Sequence, residues 1–161
     1  IPAGKGPRHV LRVVREILGF KPKGKGTDLQ PALTFLNRVL HRKAVVFWIG
    51  DGNISLESME AAKRTSRRHD MIALRLDDPG EVNWASVGML EWQDPETGQQ
   101  ILVDTSSKKV QAALQKIKTE WATEQEHTHL RGGIDLLPLN TGLAYERELA
   151  KFFRLRARRR I

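Results

Sequence analysis

Residues 19–28, GFKPKGKGTD, come close to a phosphate-binding loop. A Walker A loop runs G-x-x-x-x-G-K-[ST]: backbone N–H groups cradle phosphates, the lysine reaches them, and the hydroxyl holds magnesium. Gly19, Gly24 and Lys25 match that spacing, but Gly26 follows and Thr27 comes one place late. The flanks differ as well. A phosphate loop leads from a strand into a helix. Here HVLRVVREIL precedes the loop, with Val10, Val13, Val14, Ile17 and Leu18 at helical steps. LQPALTFLNRVL follows it, with Leu29, Leu33, Leu36 and Leu40 repeating in the same way. The segment reads as a basic helix–helix connection, with Thr27 or Asp28 capping the second helix.

Other groups offer other chemistry. Asp77, Asp78 and Glu81 form a local acidic cluster that, with Asp51, could bind metal in a hydrolase or nuclease. Acidic residues also close turns after strands, which is the simpler reading. His69–Asp70 matches a metal-phosphohydrolase dyad, but His9, His41, His127 and His129 supply no supporting pattern, so His69 reads as a helix-end residue. His127 and His129, two apart, face different sides of a helix and read as its solvated end. Trp48, Trp84, Trp92 and Trp121 suit core or hairpin packing. No Ser–His–Asp arrangement follows from spacing, and with no cysteine there is no thiolate chemistry and no disulfide framework.

Charge is uneven along the 161 residues. Lys151, Arg154, Arg156, Arg158, Arg159 and Arg160 lie in a terminal segment without an acid and supply six units of the net +8. Arg156, Arg158, Arg159 and Arg160 are therefore candidate anion contacts, for nucleic acid, anionic lipid or an acidic protein. RLRARRR lacks interleaved aromatics, which makes specific nucleic-acid binding the weaker reading. The apolar run AVVFWI is too short to cross a bilayer and no signal peptide is visible. The expectation is a cytoplasmic chain, with any membrane attachment carried by residues upstream of Ile1.

The elements that would position these residues alternate. KAVVFWIGD reads as a strand buried on both faces, ending at Gly50–Asp51. Ser55 then caps a helix with Glu57 and Glu60 early and Arg67 and Arg68 late. MIALRL is a second strand, completing a parallel strand–helix–strand unit. GMLEWQDPETGQQILVDT is a hairpin about the turn at residues 94–98. A long helix from about Ser107 would bury Val110, Leu114, Ile117 and Trp121, and it ends at Gly132–Gly133. IDLLPL is a third parallel strand. The last helix, opening near Leu143, would turn Tyr145, Leu149, Phe152 and Phe153 inward and leave its terminal arginines in solvent. The fold class is α/β, an open sheet with flanking helices and an added β-hairpin, over 1–161 as a single domain. Ligands gather at the carboxyl ends of strands in such sheets, where Asp51, Asp77 and Asp78 lie.

Six stretches, in order, carry a resemblance: IPAGKGPRHVLRVVREIL, GKGTDLQPALTFLNRVL, VVFWIGD, RRHDMIALRLDDPGE, DPETGQQILVDT and FFRLRARRR. The chain resembles the bacterial domain of unknown function 58 family, whose members carry a von Willebrand factor A-like, Rossmann-type fold. The resemblance implies a metal-ion-dependent adhesion site built from D-x-S-x-S, a threonine and an aspartate. Thr27 matches the threonine and Asp51 the aspartate. No D-x-S-x-S is present, and DTSSK at 104–108 is wrongly spaced and suits a helix start. The implied chain is the C-terminal portion of such a domain, with Mg2+ a cofactor of the complete domain only. The implied function is non-enzymatic protein binding beside a MoxR-type AAA+ ATPase during complex assembly. In the complete fold, residues 44–49 lie mid-sheet beside the metal-motif strand. Without that strand they become an edge, expected to pair with a second copy or to be covered by another segment of the chain.

Overall fold

The computed structural model describes residues 1–22, 27–81, 86–93 and 98–159. The side chains of Glu81 and Arg159, and all of Arg160, lie outside the described residues, as does most of the hairpin turn expected at 94–98.

Helix α1 (Pro7–Gly19) opens the chain, with proline in its first turn, where the missing N–H costs nothing. Helix α2 (Gln30–Val39) follows the glycine-rich segment, and the Asp28 carboxylate accepts the Gln30 N–H at 3.0 Å. Strand β1 (Val45–Gly50) leads into α3 (Leu56–Ser66). The Ser55 hydroxyl accepts the Ser58 N–H at 3.1 Å, the expected N-cap. Strand β2 (Asp70–Asp77) ends at a single 3-10 turn, Pro79–Glu81. Strands β3 (Met89–Gln93) and β4 (Gln100–Asp104) pair as an antiparallel hairpin. Ser107 caps α4 (Lys108–Arg131), followed by β5 (Asp135–Asn140) and α5 (Tyr145–Arg159).

Strands β1, β2 and β5 form a parallel sheet in the order β1-β2-β5, with Val46 beside Met71 and Ala73 beside Leu136. One face buries Val46, Trp48, Met71 and Ala73 against Leu33 of α2 and Met59, Ala61 and Ala62 of α3. The other buries Ile72, Leu74 and Leu139 under Leu149 and Phe152 of α5. The expected open α/β sheet with flanking helices and a hairpin is what forms.

Three expectations need correction. Strand β1 is buried on one face: Val46 and Trp48 are inside, while Val45, Phe47 and Ile49 are exposed. Helix α5 covers β2 and β5, and its Phe153 meets Phe47 of β1 edge to face at 6.0 Å between ring centres. Tyr145, in the first turn of α5, is exposed, and so is Ile117 on α4. The stripe of α4 that faces the sheet runs instead through Trp121, Gln125 and His129, which recur at four-residue steps.

Candidate functional site

The carboxyl ends of the parallel strands carry three tight turns, each closed by its own leading side chain. Asp51 Oδ1 accepts the Asn53 N–H at 3.0 Å after β1. Asp78 Oδ1 accepts the Gly80 N–H at 2.7 Å after β2. Asn140 Oδ1 accepts the Gly142 N–H at 2.8 Å after β5. Short Asx side chains favour such turns because they can bond backbone two residues on. The same chemistry places Asp28 at the start of α2, where its carboxylate is 3.4 Å from the Ser58 hydroxyl and Ser58 in turn accepts the Leu29 N–H at 3.1 Å.

Ser58 lies in the first turn of α3, which begins where the Asp51 turn ends. Thr27 and Asp51 therefore sit at the same end of the sheet, although no described hydrogen bond joins them. Thr27 is exposed. Gly52, at φ +86, carries the Asp51 turn across Arg75: a Cβ there would stand 3.0 Å from Arg75 Cδ. Pro79 lies against Gly142 in the same manner, packing the second and third turns together.

Beneath these turns lies Arg75, 6 % exposed within the apolar run MIALRL. Its Nε and Nη2 donate to the two carboxylate oxygens of Asp77 at 3.0 and 3.1 Å, and its guanidinium lies over the Trp121 ring at 5.2 Å. A buried arginine needs such a forked partner, because an unpaired charge in the interior is costly. Asp77 is thus committed inward, Asp78 closes a turn, and the Glu81 side chain lies outside the described residues. The acidic cluster read from sequence does not converge on a common point among the described residues. Nor do three or more histidine, aspartate and glutamate side chains come together there in a group that could hold a metal ion. A hard cation takes about six oxygen ligands. Thr27 and Asp51 offer a hydroxyl and a carboxylate already half used by Asn53, which does not make a magnesium cage.

His129 is 1 % exposed and stacks on Trp48 at 5.4 Å between ring centres, which corrects its reading as a solvated helix end. Burial holds its pKa below the usual imidazole value, partly offset by the hydrogen bond to the Gln125 carbonyl. His69, expected as a helix-end residue, lies three residues past α3, immediately before β2, and is buried. Arg156 is also placed by structure. Its two terminal nitrogens bind Asp70 and Asp135 at the amino ends of β2 and β5, so this guanidinium serves internal carboxylates. Arg158 is exposed; Arg159 and Arg160 lie outside the described side chains. Sequence reasoning missed Arg75. Its signal was a lone arginine inside MIALRL, two residues before an aspartate on the same face of the strand.

The profile of the family described as protein of unknown function DUF58 matches residues 1–125. This chain belongs to the DUF58 family. The resemblance seen in the quoted stretches is therefore borne out at the level of the family. Relatives of the chain include an uncharacterized protein of Mycobacterium bovis and two uncharacterized proteins of Mycobacterium tuberculosis. Each is 29 % identical over 100 residues, covering 61 % of this chain and 32 % of the relative. The matched stretch spans about a third of the length of these curated relatives. No solved structure gives a significant match. Among the described residues, no helix is long and apolar enough to cross a membrane.

Proposed function

We propose that this DUF58 chain is a non-enzymatic protein-binding module of von Willebrand factor A-like type, acting with a MoxR-type AAA+ ATPase in the assembly of protein complexes. The observation that carries the reading is helix α1. It buries none of its residues, yet Val10, Leu11, Val14, Ile17 and Leu18 lie on one face and are all exposed. Arg8 and Arg15 border that face beside Leu11, and Arg12 lies on the far side. An apolar stripe rimmed by charge on a surface helix is the form of a protein-docking element.

The acidic groups support a binding role over hydrolysis. Asp77 is neutralised by Arg75, and Asp51 and Asp78 close turns. Within this reading residues 1–161 are the C-terminal portion of a larger sheet domain in a cytoplasmic setting. Mg2+ would join only where further oxygen ligands converge on Thr27 and Asp51. A purified MoxR-type ATPase passed over the immobilised chain tests the proposal. Saturable binding is expected for the chain and its loss for the variant Leu11→Glu/Ile17→Glu. Binding unchanged by that variant, or magnesium-dependent turnover of a phosphodiester abolished by Asp51→Ala, would overturn it.

A further inference from the structure

Helix α4 is the longest of the described elements, yet it supplies no residue to either apolar cluster of the core. Its one buried residue is His129. What holds its second half is therefore polar and aromatic: the His129 ring on Trp48, the Trp121 ring under the Arg75 guanidinium, and the Ser66 hydroxyl donating to the Gly132 carbonyl at 2.6 Å. The imidazole has a defined tautomer there. Its Nδ1 lies 2.7 Å from the Gln125 carbonyl oxygen, which can only accept, so Nδ1 carries the hydrogen. In the neutral ring Nε2 is then a bare lone pair. That atom has no hydrogen-bond partner and is closed off from solvent by the chain itself. A proton added to the ring must go there, where no acceptor meets it. The surroundings do not welcome a charge either. Strand β1 turns Trp48 to the ring, β2 supplies Arg75 with Asp77 bound to it, and α3 supplies Lys63, paired with Glu60 and packed against Gly132. Of these charges it is that of Arg75 that acts on the imidazole, and it is of like sign. A buried cation without a partner is strongly disfavoured, so the protonated ring and the docked helix oppose one another.

We propose that His129 is a proton-operated latch: its neutral ring holds the second half of α4 on the sheet, and a proton on Nε2 releases that half while the sheet stays folded. The chain around the latch suits such a movement. Gly132 and Gly133 directly follow the helix, Gly133 at φ +67, and glycines absorb backbone rotations that other residues resist. The Ser66 bond ties Gly132 to α3, so the pivot stays in place. Nearer the start of the helix, Gln111 Nε2 donates to the Thr105 carbonyl at 2.7 Å, so the base of the β3–β4 hairpin travels with α4. Trp121 also lies against the Asp51 turn, its Cη2 3.4 Å from where a Cβ at Gly52 would stand. Release withdraws Trp121 from both Arg75 and that turn, which couples the protonation of His129 to the carboxyl ends of the strands.

Burial holds the docked imidazole below its usual value, whereas a released ring in water titrates at about 6.5. The latch is therefore closed above about pH 6.5 and weakens as pH falls toward the docked value. Between pH 7.5 and 5.5 the opening equilibrium of α4 should rise several-fold, with about tenfold as the ceiling set by protonation of the released ring. Hydrogen exchange of the whole chain, corrected for the intrinsic effect of pH on amide exchange, reads that rise as lost protection at residues 121–131, with residues 70–77 of β2 keeping theirs. His129→Phe keeps a ring on Trp48 that takes no proton, so its α4 protection should not change with pH. The buried His69 is present in both proteins and cancels from the comparison. Nitrogen NMR of the histidine rings needs no variant and should show the Nδ1–H tautomer of His129 at pH 7.5. These readouts involve the chain alone, so their failure leaves the ATPase reading standing, and loss of ATPase binding leaves them unaffected. Wild-type α4 protection that does not change with pH would overturn the latch. So would an equal loss in His129→Phe, a loss shared by α4 and β2 together, or an Nε2–H tautomer at pH 7.5.

Discussion

Replacing Asp77 by alanine should destabilise the fold far more than replacing Arg75 by methionine, although both break one ion pair. Arg75 is 6 % exposed and its side-chain partner Asp77 is 23 % exposed. Alanine at 77 removes both acceptors at 3.0 and 3.1 Å from a charge that water reaches poorly, and Arg75 Nη1 already has no described partner. Stranding a buried charge costs about 3–5 kcal/mol, and the partial exposure of Asp77 places this case near the lower end, about 3 kcal/mol. Methionine at 75 keeps an apolar stem under Trp121 and leaves a carboxylate that solvent can reach. That costs about 1 kcal/mol, the scale of the lost cation–π contact. With a urea slope of about 2 kcal/mol/M, the midpoint should fall by about 1.5 M for Asp77→Ala and about 0.5 M for Arg75→Met. Equilibrium urea unfolding followed by tryptophan fluorescence reads both shifts. Equal shifts, or a larger one for Arg75→Met, would refute the view that desolvation of the guanidinium governs this site.

Three further outcomes follow from the same structure. Arg156→Ala leaves Asp70 and Asp135 facing each other at the amino ends of β2 and β5, and should cost about 2 kcal/mol in urea unfolding, partly recovered by Asp135→Asn in that background. His129 has a pKa held below the usual value by burial, so the folded state favours its neutral form. Its contribution is complete above about pH 6.5 and is lost as pH falls through the lower folded value; thermal melts from pH 7.5 down to 5 should therefore lose less stability in His129→Phe than in wild type. Ser55→Ala removes the N-cap bond to the Ser58 N–H and should cost about 1 kcal/mol, read as a lower melting temperature with unchanged helix content.

How far the fold was legible depended on whether the signal was local. Ser55 and Ser107 announce helix starts because a hydroxyl beside an unpaired N–H is a local interaction, and both caps form. MIALRL and IDLLPL announce strands because their apolar runs are short and closed by turn residues, and they pair in parallel. Burial was less legible because it depends on what packs against a residue. AVVFWI reads as buried on both faces, yet nothing among the described residues covers Ile49, and Phe47 meets only the edge of Phe153. His129 reads as solvated from its neighbours in sequence, and Trp48, 81 positions earlier, buries it. At the candidate site the aspartates were visible as chemistry, but their occupation by Arg75 and by backbone N–H groups was not. A carboxylate's partner lies across the sheet or in the next turn, and spacing along the chain does not report it.

Hydrogen exchange of the chain mixed with a MoxR-type AAA+ ATPase tests the central claim most directly, because it reads the docking element itself. The account predicts that amides of α1, residues 7–19, exchange fast in the free chain, since the helix buries none of its residues. They should slow by about tenfold or more at saturating ATPase, the protection expected when a locally opening segment is held by a partner. Protection confined to the turns at Asp51, Asp78 and Asn140, with α1 unchanged, would contradict it.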